Sequence, residues 1–293
     1  MATAQTKDMP LATTFDRHCK ETMNLIIMNG TLVDNRFKVT HFAGDWHGEK
    51  CYYAEDLKDG QPVMLKAFSP TDSRIQAHIQ LLTECAGTKG IPHLVARFQL
   101  LDHEFIAHDH KGVRFARILN DRFFRISKEN TIRVGTRLLR ILHAMHMKGF
   151  VHRDVRPLIV MCSVDHNKEL QVGMSYFAHA ATNGGAYGRV DDYISVVIIM
   201  MACQMVRPFD YNTNNHLTHV QKKEVFHENP YDALTPDTMW LGDIYLMLEE
   251  MRVSNSFRHL EIMCAMSRAH PGFDPNTPIT YHYDQQNGHL LID

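Results

Sequence analysis

The spacing of apolar residues changes near residue 126, and that change limits the fold more than any other feature. Before it, short β-rich runs dominate: "FKVTHF", "KCYYAED" and "QPVMLKAF" predict three strands, with "KDG" (58–60) turning between the last two. "LVARFQLLD" and "EFIAHD" predict another pair. One helix interrupts them over 73–86, where Ile75, Ile79 and Leu82 recur at i, i+4 and i+7. After 126 the period is helical. Ser127 reads as an N-cap, and Ile132, Leu138, Leu139, Leu142 and Met145 keep one broad stripe up to Gly149. "GFVHRDVRP" then opens a loop, because Pro157 cannot continue a helix. Further helices are predicted over 192–206, 217–226, 236–252 and 256–268. A strand-rich half followed by a helical half is the element order of an α+β protein.

Composition narrows the function classes. The chain has 293 residues, enough for one large domain or two modest ones. A formal charge of −2 gives no strong pull toward nucleic acid or anionic membrane, so neither is expected as a partner. The start, "MATAQTKDMP", is polar and shows no secretory signal, and "VVIIMMACQMV" is too short to cross a bilayer. Cysteines 19, 51, 85, 162, 203 and 264 are scattered without paired spacing, which suits reduced thiols in the cytosol or nucleus. The histidine pairs "HDH" (108–110), "HAMH" (143–146) and "HLTH" (216–219) join no second cluster at zinc-like spacing, so no metal site is expected.

Five stretches then point one way. "NGTLVDNRFKV", "VMLKAF", "GIPHL", "TIRVGTRLLRILHAMHMKGFVHRDVRP" and "GRVDDYIS" follow one another in the order and spacing of a protein kinase domain. Over about residues 29–270 the chain resembles the casein kinase 1 group, closest to its tau-tubulin kinase branch. The resemblance implies a bilobal α+β fold with an extension (1–28), a small β-rich N-lobe (29–110), and a larger helical C-lobe with a C-terminal tail (111–293). The activation segment between Met174 and Asp192 is shortened.

The same resemblance locates each part of the phosphoryl-transfer machinery, and most are altered. In the phosphate-covering loop Gly44 holds the first glycine position, but Trp46 takes the second and Glu49 the third, with Gly48 one place early. Glycine there lets the backbone approach phosphates, whereas a carboxylate repels them. The altered loop is expected to be a plain surface hairpin. Lys66 occupies the ATP-lysine position and, as a lone strand lysine, is expected to be half-exposed. Its helix glutamate is missing: the position falls on His78, or on Gln76 or Gln80 in other registers. His108 falls at the gatekeeper and His110 at the adenine-gripping hinge.

In the catalytic loop Asp154 keeps the base position, Arg156 replaces a lysine, and Ile159 replaces a magnesium-binding asparagine. The second metal position is Gly173-Met174-Ser175 or Met174-Ser175-Tyr176, and neither contains a carboxylate. His152, Arg153 and Asp192 match the structural frame of the loop. The expectation is a pseudokinase acting as a scaffold or regulatory module on a protein partner. It would have a vestigial Asp154, a vestigial Lys66 and Gly44, and weak or absent ATP and magnesium binding. The alternative is a residual Ser/Thr kinase or nucleotide-binding protein using Lys66 and Asp154.

Overall fold

The computed structural model describes residues 26–46, 49–69, 71–72, 74–109, 112–175, 181–182, 187–209, 218–284 and 289–293. Most of the predicted extension, Gly48, His110, Tyr176, and much of the shortened segment before Asp192 lie outside these residues.

The N-terminal half is a sheet with one helix. Strands β1 (Leu32–Val33), β2 (Phe37–Trp46), β3 (Glu49–Asp56) and β4 (Gln61–Phe68) lead into helix α1 (Arg74–Glu84). Strands β5 (Leu94–Leu100) and β6 (His103–Asp109) follow. All six strands pair antiparallel in the order β1-β2-β3-β4-β6-β5. Alternation along β4 assigns two buried faces. Val63, Leu65 and Ala67 join Phe37, Val39, Tyr52, Ala54, Phe105 and Ala107 in one apolar core. Phe68 and Ile106 face the other way and meet Ile75 of α1. Ile27 is also buried in the first core, so the end of the expected extension belongs to the sheet.

The C-terminal half is mainly helical. Strand β7 (Val113–Arg114) and helix α2 (Phe115–Asp121) lead to the long helix α3 (Lys128–Met147). Strands β8 (Phe150–Val151), β9 (Val160–Val164), β10 (Leu170–Met174) and β11 (Ala181–Thr182) come next. Helices α4 (Arg189–Cys203), α5 (His219–Glu228), α6 (Met239–Val253) and α7 (His259–Arg268) complete the set, and strands β12 (Tyr281–Asp284) and β13 (His289–Ile292) close it. The Ser127 hydroxyl accepts the Asn130 N–H at 3.3 Å, as expected of the N-cap. Helix α4 starts three residues before its predicted position; the Asp191 carboxylate takes the Gly188 N–H at 2.7 Å and secures that first turn. A second apolar core joins α3, α4 and α6 with β9 and β10.

Two elements correct the sequence reading. Helix α2 is short but buries Phe115, Ile118 and Leu119 at helical spacing. The expected C-terminal tail is a hairpin: Leu290 and Ile292 are buried, and the Asn130 amide donates to the Thr280 and Asp293 carbonyls at 3.1 and 2.8 Å. The hairpin therefore seals the start of α3.

The two halves share the second core, which takes in Leu81, Leu82 and Cys85, and they also meet at a backbone contact. Met174 N–H donates to the Gly90 carbonyl at 2.8 Å. Gly90 has φ +91°, and a Cβ there would lie 2.4 Å from Ile141 Cδ1 and 3.0 Å from the Val172 carbonyl, so only glycine fits.

Candidate functional site

The loop after β8 is built on one carboxylate. Asp192, fully buried on α4, accepts the His152 N–H at 2.7 Å and the His146 Nε2–H at 2.8 Å through one oxygen. Its other oxygen accepts the Arg153 N–H at 2.9 Å and the Tyr187 hydroxyl at 3.3 Å. Burial pushes the Asp192 carboxyl up, but the His146 hydrogen bond, the neighbouring His152 ring and the backbone donors outweigh it and hold it below the usual carboxylate range. These contacts hold Arg153 at φ +70°, a left-handed conformation that would otherwise be unfavourable.

Asp154 lies just beyond this hub and pairs with Arg156 Nε at 3.0 Å, both side chains partly exposed. That pair is local and solvent-screened. Ile159 is buried in the helical core, and its carbonyl takes the Ser175 N–H at 2.9 Å and the Ser175 hydroxyl at 3.2 Å. Met174 is buried in the same core. Ile159 and, in one of the two registers, Met174 therefore turn apolar side chains into the protein interior where magnesium donors are expected; the other register puts Gly173, which has no side chain, at the second position.

The cleft face of the sheet departs from expectation. Lys66 is fully buried rather than half-exposed. The reason is its place on a strand covered on both faces, with Cys51 directly opposite on β3 and Ile106 on β6. Glu49 is also fully buried, so the hairpin is not a plain surface turn at this residue. Because side chains alternate along β3, Glu49 and Cys51 share the face of Lys66, and Glu49 is its diagonal neighbour. Arg74, the first residue of α1, approaches the Glu49 carboxylate at 3.5 Å from a second side. Burial raises the Glu49 carboxyl to about 7, against the attraction of Lys66 and Arg74.

His78, the best candidate for the missing helix glutamate, does face this cluster. It is buried on α1 with its ring edge-on to Phe68, centroids 5.9 Å apart. Burial, followed by the charges of Lys66, His108, His152 and Arg74, pushes its pKa well below the usual histidine range. A neutral imidazole there cannot serve as the counter-ion of a lysine. Burial likewise lowers the Lys66 ammonium and pushes the Cys51 thiol up to about 12. His108 is buried on β6 opposite Met64, its Nδ1 2.9 Å from the Asp109 carbonyl.

Gly44 has a structural reason independent of phosphate. It has φ +138° at an irregularity in the β2–β3 register, where one residue is skipped between Phe42 and Gly44. Sequence reasoning missed Arg74 and Cys51 as members of the cleft, and it missed the inward turn of Glu49. The signal for the last was present: Glu49, Cys51 and Lys66 fall on one face once β3 and β4 are paired.

These residues do not fit a magnesium–nucleotide complex. Hard cations take oxygen donors, and the side chains of Ile159 and of Gly173 or Met174 offer none, while Asp154 pairs with Arg156. Among the described residues no three His, Cys, Asp or Glu side chains gather as a metal-holding group. The histidine pair of α3 divides its roles: His143 stacks on His259 with centroids 3.8 Å apart, and His146 serves Asp192. Among the described residues no helix is long and apolar enough to cross a membrane. No family model matches the chain, and no curated protein matches it.

Proposed function

We propose that this chain has a kinase-like fold, related to the casein kinase 1 group and nearest its tau-tubulin kinase branch, that has given up phosphoryl transfer and acts by binding a protein partner. One observation carries this reading. Asp192 holds both the His152 and Arg153 amides of the loop, whereas Ile159 and, in either register, Gly173 or Met174 supply no side-chain oxygen where magnesium donors would be needed. Positioning and charge neutralisation supply nearly all of phosphoryl transfer, so a site lacking them retains shape without reactivity. On this reading Asp154, Lys66 and Gly44 are remnants, and the protein works in the cytosol or nucleus as a scaffold or regulatory module.

The test is direct. Purified protein incubated with labelled ATP, magnesium or manganese, and generic protein acceptors should transfer no label beyond an Asp154→Asn control. Transfer that this substitution abolishes would overturn the reading in favour of a residual kinase using Lys66 and Asp154.

A further inference from the structure

We infer that Glu49 is a built-in occupant of the phosphate subsite, an autoinhibitory carboxylate that stands beside Lys66 and Arg74 where a nucleotide phosphate would otherwise bind. This inference rests on the kinase-like reading for the identity of the subsite. Its physical basis is local.

Three features place the carboxylate there. Glu49 is fully buried although it follows directly on the tip of the β2–β3 hairpin, where an acidic side chain would ordinarily point to water. It shares the cleft face with Lys66 and lies diagonally across the strand pair from it. Arg74 reaches it at 3.5 Å from α1, so basic groups on two elements converge on one anionic side chain. An arrangement of two cations around a buried acceptor also suits a phosphate, and the tethered carboxylate competes with it both by volume and by charge.

The site is not satisfied as a structural ion pair would be. Neither Glu49 oxygen accepts a hydrogen bond from the described residues, and the carboxyl holds its proton to unusually high pH. A group evolved only to stabilise the fold would have donors around it, as Asp192 does. Positions 76–80 of α1 carry no acidic residue, and Arg74 ties the start of the helix to Glu49 on β3 instead. The N-terminal half is thereby held in one arrangement without nucleotide.

The experiment removes the occupant and asks whether phosphate enters. The probes are ADP and inorganic pyrophosphate, both without metal, so that the lost magnesium positions do not interfere. Calorimetric titration of the full chain with Glu49→Ala should give saturable binding tighter than wild type by at least about tenfold. A further Lys66→Met substitution should abolish that gain. Glu49→Gln keeps the volume, protects folding, and should give a smaller gain in the same direction. Either variant, folded and cooperative in melting, that binds no better than wild type overturns the inference.

Wild type supplies an independent readout. Sulfate carries a constant charge near neutrality, so its affinity should rise as pH falls from about 8 to about 6 and Glu49 takes up its proton. The other charged groups facing Glu49 are Lys66 on β4, Arg74 on α1, Asp72 before it, and Asp45 on β2. A flat sulfate profile counts against the inference. Failure here is separable from failure of the pseudokinase reading, which is judged by label transfer from ATP in the wild-type protein.

Discussion

Asp192 and Glu49 are both fully buried carboxylates, and the fold treats them in opposite ways. Around Asp192 two backbone amides, an imidazole and a phenol converge, so burial is overcome and the carboxyl is held below its ordinary range. Around Glu49 there are two cations but no hydrogen bond from the described residues, and burial wins, raising the carboxyl to about 7. Burial alone does not decide the state of a buried acid. The number and aim of its donors do. The first region is a frame that any chain of this shape needs. The second is a site whose groups are held in tension.

The largest effect should come from destroying the satisfied region. Asp192→Ala leaves the His146 ring and two buried amides without their acceptor and should lower unfolding stability by about 3–5 kcal/mol in urea titration. Next in size is a pH effect of opposite sign at the two sites. The folded-state pKa of Asp192 is lowered, so its contribution is present above the ordinary carboxylate range and is lost as pH falls through the folded value. That of Glu49 is raised from an ordinary 4.5 to about 7, so stability is highest below the ordinary value and declines as pH rises toward 7. Glu49→Gln should therefore gain on wild type as pH rises, by up to about 3 kcal/mol above neutrality, in melts followed across pH.

Ile159→Asn installs the residue type that the proposed kinase-like reading places at a metal position and should still fail to bring magnesium binding, because the side chain points into the apolar core. It should lower stability by about 2–3 kcal/mol, read from the denaturation midpoint, with a flat magnesium titration. The smallest effect belongs to Asp154→Asn. Its partly exposed pair with Arg156 should be worth no more than about 0.5 kcal/mol, and no activity should be lost. A large change at Asp154 would mean that the loop keeps more than its frame.

Much of the architecture was legible from spacing alone. Strands β2–β6 and helices α1, α3, α4, α6 and α7 all stand where period two or period 3.6 places them, with ends shifted by a few residues. Helix α2 was overlooked because two turns flanked by charged residues carry little periodic signal. The C-terminal hairpin was overlooked because its partner, Asn130, lies far away in sequence, and only tertiary contact makes those strands buried. The site divides in the same way. Asp192 was placed by its motif, but its bond to His146 spans 46 residues and is invisible to local reasoning. Lys66 was misjudged because lysine is rarely buried, and the packing of α1 over its face of β4 is a tertiary contact that the strand's own sequence does not announce.

The clasp at Gly90 has a mechanical consequence. Its hydrogen bond to Met174 joins the loop between α1 and β5 to the end of β10, and a Cβ at Gly90 would meet both Ile141 of α3 and the Val172 carbonyl. A side chain at Gly90 would press on a helix and a strand of the other half at once, so Gly90→Ala should loosen the packing on both sides of this contact.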